Sequence, residues 1–245
     1  MKIRFIHARI LTMEEAKGLV LIEDGELHVL DDRITYVGTG MPEEDECAYT
    51  FDREIDCEGN LLMPGFKNAH AHGPMTFLRS MADDMPLDEW LNKQVFPAEA
   101  KLLEEDTYWL HQLAVLEYLT SGMTASFEMY FIDVGIRRAA KETGFRTVLC
   151  GAACGNDLGW IRRMEQDLEQ PAEGNLTEEK TTDGLVTFRL GFHAEYSTDR
   201  KLLEGVADLA GRYQVPVYTH CQETKKETLE CIDRYAKRPI RSQKR

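Results

Sequence analysis

The sequence predicts an α/β protein in which a small N-terminal β-domain precedes a parallel sheet. Two observations carry this expectation. Residues 1 to about 60 hold only short β-prone runs separated by turn residues, and from Leu61 onward strand patterns alternate with helical ones. A third observation says what the sheet is for. Of the 7 histidines, His70, His72, His193 and His220 fall at or just past the ends of expected strands.

The β-prone runs are Ile3–Ile6, Leu19–Ile22, Leu27–Leu30 and Ile34–Gly38, with Glu23-Asp24-Gly25-Glu26 and Asp31-Asp32-Arg33 as the turns between them. A domain of this size (1–60) has a thin core and is expected to lean on the larger domain after it. The acidic segment Pro42–Glu46 reads as a solvated loop. Leu61–Met63 reads as the first strand of the second domain (61–238), broken by Pro64-Gly65. Leu87–Leu91 comes next, then a helix over 104–120 in which Trp109, Leu110, Leu113, Leu116 and Tyr118 recur near helical spacing, stopped by Gly122.

Thr124–Met129 is the second strand, Val134–Glu142 a helix closed by Gly144, and Arg146–Cys150 the third strand. Ile161–Leu168 reads as a helix with a polar loop after Pro171. Val186–His193, a helix over Lys201–Arg212, Val215–His220 and a last helix over Glu223–Tyr235 complete the pattern. Such alternation means a parallel sheet, either open or closed into a barrel.

Composition narrows the function. Acidic residues outnumber basic ones, 43 to 29, for a formal charge of −14. That surface repels phosphate backbones, so no nucleic acid partner is expected. No apolar run reaches the roughly 18 residues a membrane helix needs, and the N-terminus has no secretory h-region, which makes the cytoplasm the expected compartment. Six cysteines without a C-x-x-C pair read as reduced and mostly buried thiols.

In an extended chain, side chains at i and i+2 share a face, so His70 and His72 can aim at one point. Two convergent neutral imidazoles are half of a typical metal shell. Taken alone, one solvated histidine and one bonded to a carbonyl would explain the pair as well. His193 and His220 change the balance, because the strand C-termini of parallel α/β folds gather on one face and sites form there. A metal site is therefore expected. Glu223, three residues beyond His220, would open the last helix and reach the same cavity, where a partly desolvated carboxyl can shuttle protons. Its plain alternative is a glutamate favoured by the helix dipole.

Pro64-Gly65-Phe66-Lys67-Asn68-Ala69-His70-Ala71-His72 resembles the first metal motif of the amidohydrolase superfamily, and Thr219-His220-Cys221-Gln222-Glu223-Thr224 its strand-five motif. Gly73–Arg79 and Asp88-Glu89-Trp90-Leu91 bring it closer to the branch of methylthioadenosine/S-adenosylhomocysteine deaminases and triazine-type hydrolases. The resemblance implies part of a composite β-sandwich domain beside a metal-dependent (β/α)₈, TIM-like barrel. It implies that His70, His72 and His220 bind one divalent ion, usually zinc. It further implies hydrolytic deamination of a cyclic amidine such as an adenine nucleoside, with Glu223 protonating the ring nitrogen before ammonia leaves. Glu99 matches a ribose-binding glutamate and His193 a substrate-contacting histidine; a surface loop charge is the alternative for Glu99. Relatives often form homo-oligomers.

The departures matter too. The 185 residues after Asn60 carry about five strand–helix units, whereas a whole barrel has eight in roughly 250 residues. The branch's strand-six histidine and strand-eight aspartate have no counterpart, and 239–245 is a basic tail on an acidic chain. A truncated, inactive fragment is thus the alternative expectation, and loss of chloride from a heterocycle another. Cys150 stands where the adenosylhomocysteine deaminases place an arginine, which argues against that substrate.

Overall fold

One long hairpin organises the N-terminal part of the computed structural model, which describes residues 1–14, 18–40, 50–81, 84–169 and 184–242. The chain divides into two units, Met1–Gly65 and Phe66–Arg245. In the first, β1 (Lys2–Glu14) pairs antiparallel with β2 (Gly18–Leu30), and β3 (Arg33–Gly38) extends the meander. On its other edge β1 takes two short parallel partners, β4 (Arg53–Asp56) and β5 (Leu61–Leu62). Arg4 ties three strands together, donating to both oxygens of Glu26 at 2.9 and 2.7 Å and to Glu54 at 3.2 Å.

Two expectations need correction here. Leu19–Ile22 and Leu27–Leu30 belong to one strand, because Glu23–Glu26 is an irregularity within the ladder rather than a turn. Asp24 takes φ +51° and the register with β1 slips on both sides of Ala8 and its partner Gly25. A bulge of this kind absorbs the turn-forming residues without ending the pairing. Leu61–Leu62 likewise pairs with β1 and is not the first strand of the second sheet. Pro64 has no N–H for a ladder, so the chain leaves the first sheet there.

In the second unit the first strand is β6 (Phe66–Ala71), followed by a 3₁₀ turn over Gly73–Leu78. Three short helical pieces come next: α1 (Leu87–Trp90), a wide turn over Leu91–Val95, and α2 (Phe96–Glu99). Then α3 (Glu104–Thr120), β7 (Met123–Met129), α4 (Val134–Thr143), β8 (Arg146–Cys150) and α5 (Gly159–Glu169) alternate. β9 (Val186–Arg189), β10 (Gly191–Ala194), α6 (Arg200–Tyr213), β11 (Tyr218–His220), α7 (Lys225–Tyr235) and α8 (Pro239–Ser242) complete it.

β6-β7-β8-β9 is a wholly parallel sheet, and β10 pairs parallel with β11. The expected fourth strand is thus broken at Leu190, pairing back to β8 before the break and forward to β11 after it. Gly122 and Gly144 end α3 and α4 at φ +77° and +69°, where a Cβ would strain the backbone. Leu149, Leu190, Ile136, Met164, Leu202 and Leu209 form the core between strands and helices. Burying each such side chain contributes about 1.5–3 kcal/mol.

The buried face of α3 is not the expected one. Thr107, Tyr108, His111, Ala114 and Val115 are buried, while Trp109, Leu113 and Leu116 are exposed. The cause is the close approach of α4, where a Cβ on Gly135 would collide with the Glu104 carbonyl, the Thr107 hydroxyl and the Tyr108 amide. Strand five is shorter than expected and α7 starts at Lys225, so Glu223 precedes the helix instead of opening it. α7 is held by Arg234, which donates to both oxygens of the buried Glu195 at 3.1 and 2.8 Å. Pro42–Glu46, the loop after Pro171 and residues 243–245 lie outside the described residues. No described helix is long and apolar enough to cross a membrane.

Gly135→Ala is predicted to destabilise the chain by about 1–3 kcal/mol through overpacking at the α3–α4 crossing. Urea unfolding reads this as a lower midpoint at unchanged slope, and an unchanged midpoint would contradict it.

Candidate metal centre

His70 lies on β6 and His72 one residue past its end, so the extended chain points both rings the same way. His220 closes β11. The three Nε2 atoms meet: His70 to His72 is 3.2 Å, His70 to His220 3.1 Å, and His72 to His220 3.3 Å. Among the described residues this is the one group of three or more possible ligands clustered so closely.

The ring tautomers are set by their partners. His72 Nδ1 donates to the Met129 carbonyl at 2.6 Å and His220 Nδ1 to the His193 carbonyl at 2.9 Å. A carbonyl only accepts, so each Nδ1 carries the proton and each Nε2 presents a lone pair. Two acceptor nitrogens facing each other at 3.3 Å repel unless a cation lies between them. Tetrahedral ligation at about 2.0–2.1 Å places ligand nitrogens about 3.3 Å apart, so the triangle fits a divalent ion. Burial, with the neighbouring rings' charges, holds His70 below the ordinary imidazole range; burial does the same for His72, and the Glu128 charge opposes the shift in both. Neutral imidazoles are the form that ligates.

A cavity of 480 Å³ opens beside the triangle. His72, His193, His220, Glu99 and Glu223 reach it from the polar side, and Trp90, Leu91, Val95, Phe96 and Phe131 are among its apolar walls. The remaining expected site residues therefore converge. His193 packs its ring 5.0 Å from that of His220. Its Nδ1 lies 2.7 Å from the Ser197 hydroxyl, which itself donates to the Ala194 carbonyl, so Nδ1 is the donor and Nε2 an acceptor. Burial pushes His193 down to about 4. Glu99 is buried at the end of α2, which removes the surface-charge alternative. That burial raises its carboxyl above the usual range, with the Tyr130 hydroxyl pulling the other way.

Glu223 is placed by its neighbours. The buried Glu227 carboxylate accepts the Gln222 and Glu223 amides at 2.9 and 2.7 Å, while Glu227 donates its own amide to the Thr224 hydroxyl at 3.0 Å. Thr224 is thus the N-cap of α7, and the Glu227 carboxylate reaches past the cap residue to hold the two amides before it. The Glu223 Oε2 accepts the Tyr196 hydroxyl at 3.0 Å. Sequence reasoning also missed Glu128 and His111, both wholly buried. Ser126 and Glu128 are buried polar residues two apart on β7, but nothing in the sequence sets them apart from ordinary strand positions.

Residues 61–243 match the sequence profile of the amidohydrolase family. The chain belongs to the amidohydrolase family. It is 39% identical over 219 residues to a 5-methylthioadenosine/S-adenosylhomocysteine deaminase of Syntrophomonas wolfei, covering 89% of this chain and 49% of that one. It is 34% identical over 227 residues to a 5'-deoxyadenosine deaminase of Methanopyrus kandleri, covering 92% and 50%. The chain thus spans about half the length of the curated relatives it matches. Among solved structures, a zinc-bound adenosine deaminase from Xanthomonas campestris superposes with a TM-score of 0.81 at 26% identity, over 98% of this chain and 54% of that one. A triazine hydrolase from Arthrobacter aurescens (TM-score 0.80, 19% identity, 98% and 57% covered) shares the amidohydrolase fold.

Zn²⁺ at about 100-fold above its dissociation constant is predicted to stabilise the chain by about 2.7 kcal/mol. Differential scanning fluorimetry should show a rise in Tm reversed by chelator and absent in His72→Ala; equal responses of the two proteins would contradict the site.

Proposed function

We propose that the amidohydrolase unit of this chain serves a metal-dependent hydrolytic deaminase acting on a cyclic amidine such as an adenine nucleoside. The strand–helix alternation from β6 to α7 is five units of a (β/α)₈ barrel, with His70, His72 and His220 holding one zinc ion. The observation that carries the proposal is the triangle of Nε2 atoms opening onto the same cavity as Glu223 and Glu99. A divalent ion bound there supplies Lewis acidity and a nucleophilic water at neutral pH.

The chain's own residues do the rest. Apolar walls at Trp90, Leu91, Phe96 and Phe131 take up a flat heterocycle and exclude water, which strengthens every polar contact inside. Glu223 is oriented by the Tyr196 hydroxyl and its main chain is held by the Glu227 carboxylate. From there it delivers a proton to the ring nitrogen next to the carbon under attack. Protonation makes that carbon more electrophilic, and the two protons of the attacking water, passed on through the same carboxyl, restore its proton and convert the amino group to neutral ammonia as the carbonyl forms. His193, an acceptor at Nε2, bonds a donor on the heterocycle, and the buried Glu99 accepts sugar hydroxyls. The names of the relatives, adenosine-type deaminases, support the same reading.

Glu223→Gln is expected to lower ammonia release from 5'-deoxyadenosine and 5-methylthioadenosine by about 10²–10⁴-fold, the usual share of general acid–base catalysis, without loss of bound zinc. Absence of ammonia from the unmutated zinc-loaded chain across adenine nucleosides and guanine would contradict the proposal.

A further inference from the structure

Behind the ligand-bearing segment, on the α3 side of β7, lies a polar group that the proposed reaction does not use. Glu128 is wholly buried. Its Oε2 accepts the Gly73 amide at 2.7 Å and its Oε1 accepts the Tyr118 hydroxyl at 3.0 Å. Neither partner is cationic. His111, wholly buried on α3, has no hydrogen-bond partner at either ring nitrogen among the described residues. It stands so near Gly73 that a Cβ there would lie 2.6 Å from its Nδ1 and 3.1 Å from Glu128 Oε2.

We infer that Glu128 is a positioning residue for the metal centre, clamping the His72-Gly73 main chain and offsetting the charge of the bound cation. The inference rests on the metal-site reading above. Two consecutive residues of β7 grip two consecutive residues of the ligand segment. The Met129 carbonyl fixes the His72 ring, and the Glu128 carboxylate fixes the next amide. The strand ladder sets this up, since Ala71 pairs in register with Glu128. If either grip slips, the His72 Nε2 leaves the triangle.

The choice of a carboxylate carries the second half of the argument. An uncharged oxygen would satisfy one amide equally well. A buried carboxylate with only neutral donors is costly unless positive charge is close by. Here the nearby charge is the cation itself, held by the residue preceding Gly73. Glu128 therefore acts on metal affinity more than on the metal-free fold. Outer partners of ligating histidines have this character, and their loss costs about 10–100-fold in affinity. The unpartnered His111 marks the same pocket as polar and sealed. Glycine at position 73 is what lets imidazole, carboxylate and ligand segment approach this closely.

The test compares the unmutated chain with Glu128→Gln, which keeps the volume and an oxygen for Gly73, and with Glu128→Ala, which keeps neither. Zinc affinity is measured by chelator competition, cobalt(II) absorption reports the ligand geometry, and metal-free melting reports the fold. Expected is a zinc affinity about 10-fold weaker in Glu128→Gln and up to about 100-fold weaker in Glu128→Ala. The cobalt bands should weaken or shift, and metal-free Glu128→Gln should melt no lower than the unmutated chain. If Glu128→Ala does not fold, Glu128→Gln decides alone. Unchanged affinity, or a metal-free destabilisation that accounts for the whole affinity loss, would overturn the role. An unmutated chain that binds no zinc would overturn the metal centre as well, so the two failures are distinguishable.

Discussion

Three imidazole nitrogens held 3.1–3.3 Å apart are the constraint around which the second unit is arranged. Left to themselves, lone pairs at that spacing repel, and neutral histidines would rotate away. They stay because two of the rings are tethered through Nδ1 to the Met129 and His193 carbonyls. Those carbonyls sit at the ends of β7 and β10, so the strands that bring the histidines together also set their protonation. Ring placement and tautomer have one structural source.

The same double use of residues extends to the rest of the cavity. His193 contributes its carbonyl to the His220 ring and its own ring to the cavity wall. The start of α7 uses the Thr224 cap and the Glu227 carboxylate to orient the main chain on which Glu223 rides. Helix capping is normally a matter of about 1 kcal/mol of stability. Here it also fixes where the Glu223 carboxyl meets the cavity. Glu99, at the end of a short helix, is buried and held above the ordinary carboxylate range, so it faces the cavity as a group costly to ionise.

Much of this was legible in the sequence, for identifiable reasons. His70 and His72 are two apart in an extended chain, a relation that strand geometry preserves. His220 and His193 stand at strand ends, and parallel α/β folds gather strand ends. The helix at 104–120 and its glycine stop were equally plain. What escaped reading depends on partners distant in the chain. The inner face of α3 is set by Gly135, whose missing side chain gives no periodic signal along α3 itself. Glu23–Glu26 has the composition of a turn, but a bulge consumes the same residues when β1 continues alongside. Glu128 and His111 are individually ordinary letters, and only the fold puts them against Gly73. Thr224 was visible as a helix cap, but the Glu227 carboxylate bonds the amides of Gln222 and Glu223 rather than that of the cap residue, and only the fold shows this.

The central claim is that one cation joins His70, His72 and His220. X-ray absorption on the zinc-loaded chain measures this most directly. Three imidazole nitrogens at about 2.0–2.1 Å, with the outer-ring scattering of histidine, are predicted. A shell with fewer than three imidazoles, or with sulfur at about 2.3 Å, would contradict the account.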